Sequence, residues 1–410
     1  MTGRLYDAAI VGAGPAGSST ATYLARAGWR VALVDRAAFP RDKPCAEYLS
    51  PAAEPLLRDL GVMDALAAHP PSRLLGFRIY APGGGVIQGD FAATKGSDGT
   101  ALFASGLAVP RSRLDLALLE AAAGAGADVR ERWSLAALAL EEDCYRLQPA
   151  GPASEPIRAQ LVVAADGVHS VVARRLGLAR PAALHKVALV AHMRGIGGLG
   201  DYGEMHVANR RYVGLAPLEP RTRGDLCNVA LVVDEARDGR KIAGRAEAFL
   251  LESLATFPGL RGRLADAAIV RKTLATSGLC THVRRLSGER LLLVGDAAGY
   301  YDPFTGEGIF RALRSAQLAA RVGGAALATG DVGALVLARY DRAYRAEFRG
   351  KRAVEWLIQS GVRVPLVMDR FASVLARHKG LADTVVAVTG DFLPPSAVLR
   401  PGFLLRLALG

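Results

Sequence analysis

The feature that most constrains this chain is a run of glycines set between two apolar segments near its start. Tyr6–Val11 is short, apolar and β-compatible; Gly12-Ala13-Gly14-Pro15-Ala16-Gly17 follows; Ser18–Ala27 is rich in helix-compatible residues, and Gly28 ends it. Arg30–Val34 repeats the buried-strand pattern, with Asp35 at its carboxyl end. A GxGxxG inside a strand, turn, helix and strand of this length predicts a dinucleotide-binding corner. Gly12 permits the turn, Gly14 lets the backbone approach a pyrophosphate with no Cβ in the way, and Gly17 lets helix and strand pack closely. Pro15 and Ala16 complete the loop. Free N–H groups at the helix start favour negative charge there. Asp35, 18 residues after Gly17, stands where an acceptor would take ribose hydroxyls, and Arg36 beside it joins the predicted contacts. This motif alone does not separate FAD from NAD.

With 410 residues, 51% of them apolar and 22% charged, the chain can bury a large core, which excludes disorder, collagen and a disulfide-stapled mini-domain. Cys45, Cys144, Cys227 and Cys280 lie far apart with no CxxC pair, so the expectation is a reducing, cytoplasmic compartment and no metal. Ala8–Ala25 is an uncharged run of 18 residues, but its glycines and Pro15 mark a turn rather than a membrane span. Arg4 with Asp7 is not the basic start of a signal peptide. Arg400–Gly410 is apolar but too short to span, so it reads as a packed tail or a peripheral contact.

The formal charge is +12, and Arg339–Lys379, with ten basic and four acidic residues, carries half of that excess. Neither a helix-turn-helix nor a zinc pattern accompanies it, which argues against nucleic acid. A solvated helix face is the plain reading. The alternative is a surface that meets anionic lipid, an acidic carrier protein or a diphosphate substrate.

Two later corners narrow the nucleotide. Gln160–Ala165 is a buried strand closed by Asp166-Gly167, with Ser170 and Arg174 on the helix behind. Arg290–Val294 is another, followed by Gly295-Asp296-Ala297-Ala298-Gly299, then Pro303, then Thr305-Gly306-Glu307-Gly308-Ile309, and a helix is expected over Phe310–Leu327. Asp296 can hydrogen-bond a ribityl hydroxyl. The Thr305–Gly308 turn can aim N–H groups at the edge of a flavin where reduction puts negative charge.

The trio Gly12–Gly17, Asp166-Gly167 and Gly295-Asp296 resembles, in order and spacing, the FAD signatures of the flavoprotein monooxygenase superfamily typified by para-hydroxybenzoate hydroxylase. Phe39–Glu47 and Thr305–Ile309 resemble segments of its geranylgeranyl reductase-like branch, whose members usually read Cys-Gly where this chain has Cys45-Ala46. Thr389-Gly390-Asp391 is a weaker echo. The resemblance implies FAD as cofactor, Arg41 as a contact to its phosphates, Arg111 near the flavin, and Cys45 near the ring. Pro303, Gly306, Glu307, Gly308 and Ile309 belong to the same predicted contact set.

Departures from that branch bear on the substrate. Where isoprenoid reductases carry Tyr-x-Trp-x-Phe-Pro, this chain reads Tyr212-Val213-Gly214-Leu215-Ala216-Pro217. The Trp-x-Trp of tryptophan halogenases has no counterpart among Trp29, Trp133 and Trp356. Gly299 stands where many aromatic hydroxylases have His.

The fold class expected is α/β: a Rossmann-like FAD-binding domain (1–72, 108–184 and 286–345) with an inserted antiparallel-sheet substrate domain (73–107 and 185–285) and a helical carboxyl-terminal region (346–410). The inserted sheet is read from short alternating runs separated by turns such as Pro82–Gly85. Cys45, Glu47, Tyr212 and Asp302 are the candidate catalytic residues, and Tyr48 is a further proton carrier. Cys45 can equally be a small buried residue, and Asp302 can cap the turn before Pro303. His206 is read with Tyr212 as lining the pocket, while His169 and His282 read as structural.

The leading expectation is NAD(P)H-driven monooxygenation of a hydrophobic aromatic or polyketide-like substrate. Its alternatives are reduction of double bonds in an isoprenoid or quinone side chain, and a redox-silent flavin binder. No NADPH-binding fold is recognisable, so a nicotinamide would bind transiently or a separate reductase would deliver electrons.

Overall fold

The computed structural model describes residues 5–91, 94–95, 101–102, 105–151, 154–180, 185–220, 222–300, 302, 304–391 and 393–409. Pro303 lies outside them. One sheet is built on parallel strands, Asp128–Arg130, Val31–Val34, Leu5–Val11, Ile157–Ala164 and Leu291–Leu293. Val31–Val34, Leu291–Leu293 and the carboxyl-terminal halves Ala8–Val11 and Leu161–Ala164 are continuous apolar runs because helices cover both faces of such a sheet. The register aligns their carboxyl ends: Val11 lies opposite both Val34 and Ala164, and Ala164 lies opposite Leu293. Every predicted nucleotide corner therefore leaves the sheet at one edge, where ligands of open α/β sheets bind. Ile157–Ala164 is long enough to pair its first half with the antiparallel strand Tyr145–Pro149, which pairs in turn with Leu135–Leu140.

The helix after the first corner begins at Pro15 rather than Ser18 and runs to Arg26, since proline at the first helical position needs no N–H partner. The helix expected over Phe310–Leu327 runs from Gly308 to Thr329, where Gly330 turns left-handed and caps it. Both pack on the parallel sheet, with Leu24, Leu318 and Ala319 in its core.

The second sheet has seven strands in the order Ala268–Leu279, Lys186–Arg194, Cys227–Asp234, Arg211–Pro217, Gly203–Ala208, Gly76–Tyr80 and Val86–Asp90. It is antiparallel except where Gly203–Ala208 runs parallel to Gly76–Tyr80. Alternation assigns its two faces. Val213, Leu215, Val229 and Leu231 pack on the helices Glu235–Ile242 and Ala246–Leu254. Tyr212, Val232, Met205 and Val207 pack on Val362, Met368, Ala372 and Leu375. Those last residues belong to Lys351–Arg363 and Pro365–Arg377, which Lys379–Thr389, Ser396–Leu399 and Pro401–Leu409 follow. Prolines 365, 394, 395 and 401 divide this region into short helices. Among the described residues, no helix is long and apolar enough to cross a membrane.

The Gly203–Ala208 strand buries a charged group that makes stability pH-dependent. Glu204 is 1% exposed, bonded to His206 Nε2 at 2.9 Å and to Arg263 Nη1 and Nη2 at 2.9 and 3.0 Å. Burial pushes its pKa up, but the bonds from His206 and Arg263 more than offset this and leave it lowered. A depressed carboxyl stabilises the fold fully above the ordinary Glu value of about 4.3, and the contribution drains away as pH falls through the folded value. Glu204→Gln is therefore expected to lower the melting temperature at pH 7 and to flatten its fall below about pH 4.3. Parallel acid limbs in the variant and the parent, measured by thermal melts, would contradict this.

Candidate active site

The three corners enclose one cavity. Of the predicted cofactor contacts, Gly14, Pro15, Ala16, Arg111, Gly167, Gly295, Asp296, Gly306, Gly308 and Ile309 line it. Gly12, Gly17, Asp35, Arg36, Arg41, Asp166 and Glu307 do not line it. Asp35 ties two loops together, accepting from Ala13 N and Ala37 N at 2.8 Å each, while Arg36 is exposed. Glu307 turns toward Lys351 Nζ (3.2 Å) and Arg311 (3.5 Å).

Positive charge gathers over the glycine loop. A Cβ on Gly14 would lie 3.6 Å from the Arg41 guanidinium and 3.9 Å from that of Arg111. Arg111 grips Asp115 through two bonds of 2.8 Å, and Arg41 reaches the same buried carboxylate at 3.1 Å. Burial works against the Arg111 charge, but Asp115 outweighs it and the pKa is raised. Lys43 lines the cavity as well, its pKa lowered by burial and then by Arg111. Three cations against Asp115 and Asp35 leave a surplus suited to a diphosphate.

Asp166 Oδ2 accepts from Val171 N (2.6 Å) and Val172 N (3.1 Å), whereas its Oδ1 is buried without a partner. Burial raises this carboxyl despite the bonds it accepts. An orphaned buried acceptor beside Gly167, a gap over Gly14 roofed by guanidiniums, and N–H-rich turns at Gly14 and Gly306 fit FAD. Gly14–Ala16, Arg41, Lys43 and Arg111 would hold its diphosphate, Asp35 and Asp166 its nucleotide hydroxyls, and Asp296 with Gly306–Ile309 its flavin end.

Cys45, Ala46, Tyr48 and Tyr300 line the same cavity. Glu47 N donates to the Cys45 sulfur at 3.3 Å, and Cys45 stands close enough to Arg111 to help, after Asp115, to raise the guanidinium's pKa. The Tyr48 hydroxyl is buried and unpartnered, and burial followed by the Glu307 charge pushes its pKa well up. Glu47 is fully engaged. Its oxygens accept from Arg111 N (2.9 Å) and Asn228 Nδ2 (2.8 Å) and meet His192 Nε2 (2.6 Å), so it joins the inserted sheet to the FAD-binding part.

Tyr212 and Asp302 are brought together, one layer behind the cavity. Asp302 Oδ1 accepts from Tyr212 (2.7 Å), Gln359 (2.7 Å) and Phe304 N (2.9 Å), and Oδ2 accepts from Lys186. Tyr300 stands between this network and Asp296, and burial followed by the Asp296 and Asp302 charges raises its pKa. His206 is bonded to Glu204 and stacked on Tyr80, with ring centroids 4.2 Å apart. His169 packs against Gly278.

Sequence reasoning missed Lys43, Asp115 and Tyr300. Lys43 lies inside the Phe39–Glu47 segment already singled out. Asp115 stands four residues after Arg111, the spacing of a helical ion pair. Tyr300 follows the Gly295–Gly299 corner directly.

Residues 5–349 match the FAD binding domain family. The chain belongs to that family. Within it the chain falls in the geranylgeranyl reductase-like branch. It is 30% identical to the digeranylgeranylglycerophospholipid reductase of Methanosarcina acetivorans, covering 84% of this chain and 81% of that protein. It is 27% identical to conditioned medium factor receptor 1 of Dictyostelium discoideum (97% and 79% covered) and 29% identical to the menaquinone reductase of Mycobacterium tuberculosis (77% and 76%). The fold is similar to a flavoprotein/dehydrogenase of Cytophaga hutchinsonii, with TM-score 0.82, 18% identity and 99% and 98% coverage. It also resembles the flavin-dependent halogenase CmlS, with TM-score 0.79, 22% identity and 98% and 78% coverage. Like its family, the chain is an FAD-dependent oxidoreductase, and the features of its cavity are those of an FAD site.

Proposed function

We propose that this FAD-dependent oxidoreductase reduces isolated carbon–carbon double bonds in a hydrophobic chain of isoprenoid or quinone-tail type. The observation that carries this reading is the Cys45 thiol, which lines the flavin cavity beside Arg111 and accepts from Glu47 N. Bound in that cavity, reduced FAD supplies hydride. Saturating an alkene also takes a proton at the second carbon, and Cys45 is the protic group held in a defined position there. Glu47 N keeps the sulfur oriented, and the proton it gives up is replaced from solvent once the product has left the cavity. Tyr48 and Tyr300, both raised in pKa, stay neutral and close the cavity against water. The likeness to the Methanosarcina digeranylgeranylglycerophospholipid reductase and the Mycobacterium menaquinone reductase supports a polyprenyl-bearing substrate. Electrons come from NAD(P)H, directly or through a separate reductase.

Monooxygenation of a broad aromatic or polyketide-like substrate is the second reading, favoured by the short side chains of the inserted sheet. Gly214 lies opposite Ala230, with Ala216 two residues on, and a Cβ on Gly214 would meet nothing closer than Met205 at 3.6 Å.

Assays of the FAD-loaded protein with dithionite under strict anaerobiosis, using polyprenyl quinones and polyprenyl phospholipids, separate the two. Reduction predicts products that gain two hydrogens per double bond without oxygen, and a kcat lower by about 10²-fold or more in Cys45→Ala with FAD content unchanged. Turnover that requires oxygen, with label from oxygen-18 gas in the product, would overturn the proposal.

A further inference from the structure

A second cavity, of about 580 Å³, opens beside the flavin site between the Thr281–Leu286 segment and the junction of the helices Ala334–Glu347 and Lys351–Arg363. Tyr300 lines both cavities, so they share a wall. The seventeen residues lining the second cavity include seven Arg or Lys and not one carboxylate.

These cations divide into two kinds. Arg311 and Lys351, at the inner end, are buried and already answered: Arg311 pairs with Glu355 at 2.7 Å, and Lys351 with Glu307 and Asp391. Arg284, Arg285, Arg349 and Arg352, around the rim, are exposed and form no ion pair among the described residues. Among the described residues Arg345 has only Asp341, 3.9 Å away. Arg352 also acts on the cavity wall, since burial and then its charge lower the pKa of His282. Arginines 345, 349 and 352 come from the basic stretch 339–379, whereas 284 and 285 arrive from a segment some sixty residues earlier in the chain. Tertiary structure thus concentrates on one hollow a charge that a solvated helix face would disperse. Like charges gathered without counter-ions repel one another, and guanidiniums match phosphate oxygens two at a time.

We infer that this cavity binds a phosphate-bearing ligand, its phosphate or diphosphate held by Arg284, Arg285, Arg349 and Arg352 and the rest of the molecule directed at the Tyr300 wall of the flavin site. The site does not depend on which reaction the flavin performs. Two sources share this chemistry: a 2′-phosphorylated nicotinamide dinucleotide that delivers electrons, and a substrate with a phosphate headgroup.

Calorimetric titration of the FAD-loaded protein tests the inference by binding alone, so a failed turnover assay leaves it standing. The probes are inorganic pyrophosphate, NADP⁺ against NAD⁺, and vesicles with and without phosphatidic acid. Saturable pyrophosphate binding is expected, weakened at least tenfold in each of the double variants R349Q/R352Q and R284Q/R285Q and reduced by added salt. Flavin content and melting temperature should stay at parental values. The control R237Q/R240Q, at two exposed positions of the Glu235–Ile242 helix, should bind as the parent does. A preference for NADP⁺ over NAD⁺ that the cavity variants abolish identifies the electron donor as ligand. Binding confined to phosphatidic acid vesicles and pyrophosphate, lost in the same variants, identifies a headgroup. No saturable binding of any probe, or equal weakening in the control, would overturn the inference.

Discussion

Gly17→Ala is expected to purify almost free of flavin, with the absorbance ratio of the flavin band to the protein band close to that of apoprotein. The reason is steric rather than conformational. Gly17 sits in the first turn of the Pro15–Arg26 helix, and a methyl there would be driven into the carbonyl oxygen of Gly12 while lying 3.1 Å from Ala165 Cβ. Both obstacles are fixed, one by the glycine loop and the other by the strand end that carries Asp166-Gly167. The helix would have to lift from the sheet, taking with it the N–H groups of Gly14–Ala16 that face the diphosphate. Overpacking of this kind costs roughly 1–3 kcal/mol or more in a rigid setting. Misdirected N–H donors add to that cost, and each 1.4 kcal/mol is about tenfold in affinity. Gly124→Ala supplies the contrast. It lies at the end of the Arg111–Gly124 helix with nothing within 4 Å of the added methyl, so flavin content should be unchanged and stability equal or slightly higher. Full flavin occupancy in Gly17→Ala, titrated against free FAD, would refute the close-approach argument.

The corners were legible in the sequence because each depends on local chemistry. A strand buried on both faces is uniformly apolar, and a turn that meets phosphate must be glycine-rich, so Val11-Gly12, Ala165-Asp166 and Val294-Gly295 announce themselves. Parallel pairing then forces them to one edge. The hairpin Leu135–Leu140 and Tyr145–Pro149 was harder to see, since Leu135–Leu140 reads Leu-Ala-Ala-Leu-Ala-Leu with no alternation and none of its residues fully buried. What the sequence conceals above all is which charged groups answer one another across the fold. Glu47 meets His192 and Asn228, 145 and 181 residues away, and no periodicity encodes that. The basic stretch 339–379 has the same character: its composition is plain, while its convergence with Arg284 and Arg285 belongs to tertiary structure alone.

Lys186→Met is expected to be the most destabilising of the single substitutions of charged residues considered, by about 3–5 kcal/mol in denaturant unfolding, because it removes one partner of a buried pair and strands the other. Lys186 Nζ bonds Asp302 Oδ2 at 2.5 Å and Gln359 Oε1 at 2.6 Å, and Lys186, Asp302 and Gln359 are 9%, 5% and 4% exposed. Tyr212, Gln359 and Phe304 N would still donate to Asp302 Oδ1, but none carries a charge. The double variant Lys186→Met/Asp302→Leu should recover much of the loss, since a buried pair replaced by apolar groups of similar volume is often close to neutral. That recovery separates an uncompensated charge from simple loss of packing, for which the two substitutions would add. The network has a further consequence for the active site. Lys186 and Tyr212 come from the inserted sheet, Asp302 from the loop after the Gly295 corner, and Gln359 from the carboxyl-terminal helices, so one carboxylate holds three parts of the molecule together beside Tyr300. In Lys186→Met, flavin should therefore be retained while its fluorescence and its accessibility to quenchers increase, because the wall behind Tyr300 loosens before the phosphate corners do. A single variant within 1 kcal/mol of the parent, or a double variant no more stable than the single, would mean that the interior at Asp302 is polar enough to solvate the charge unaided.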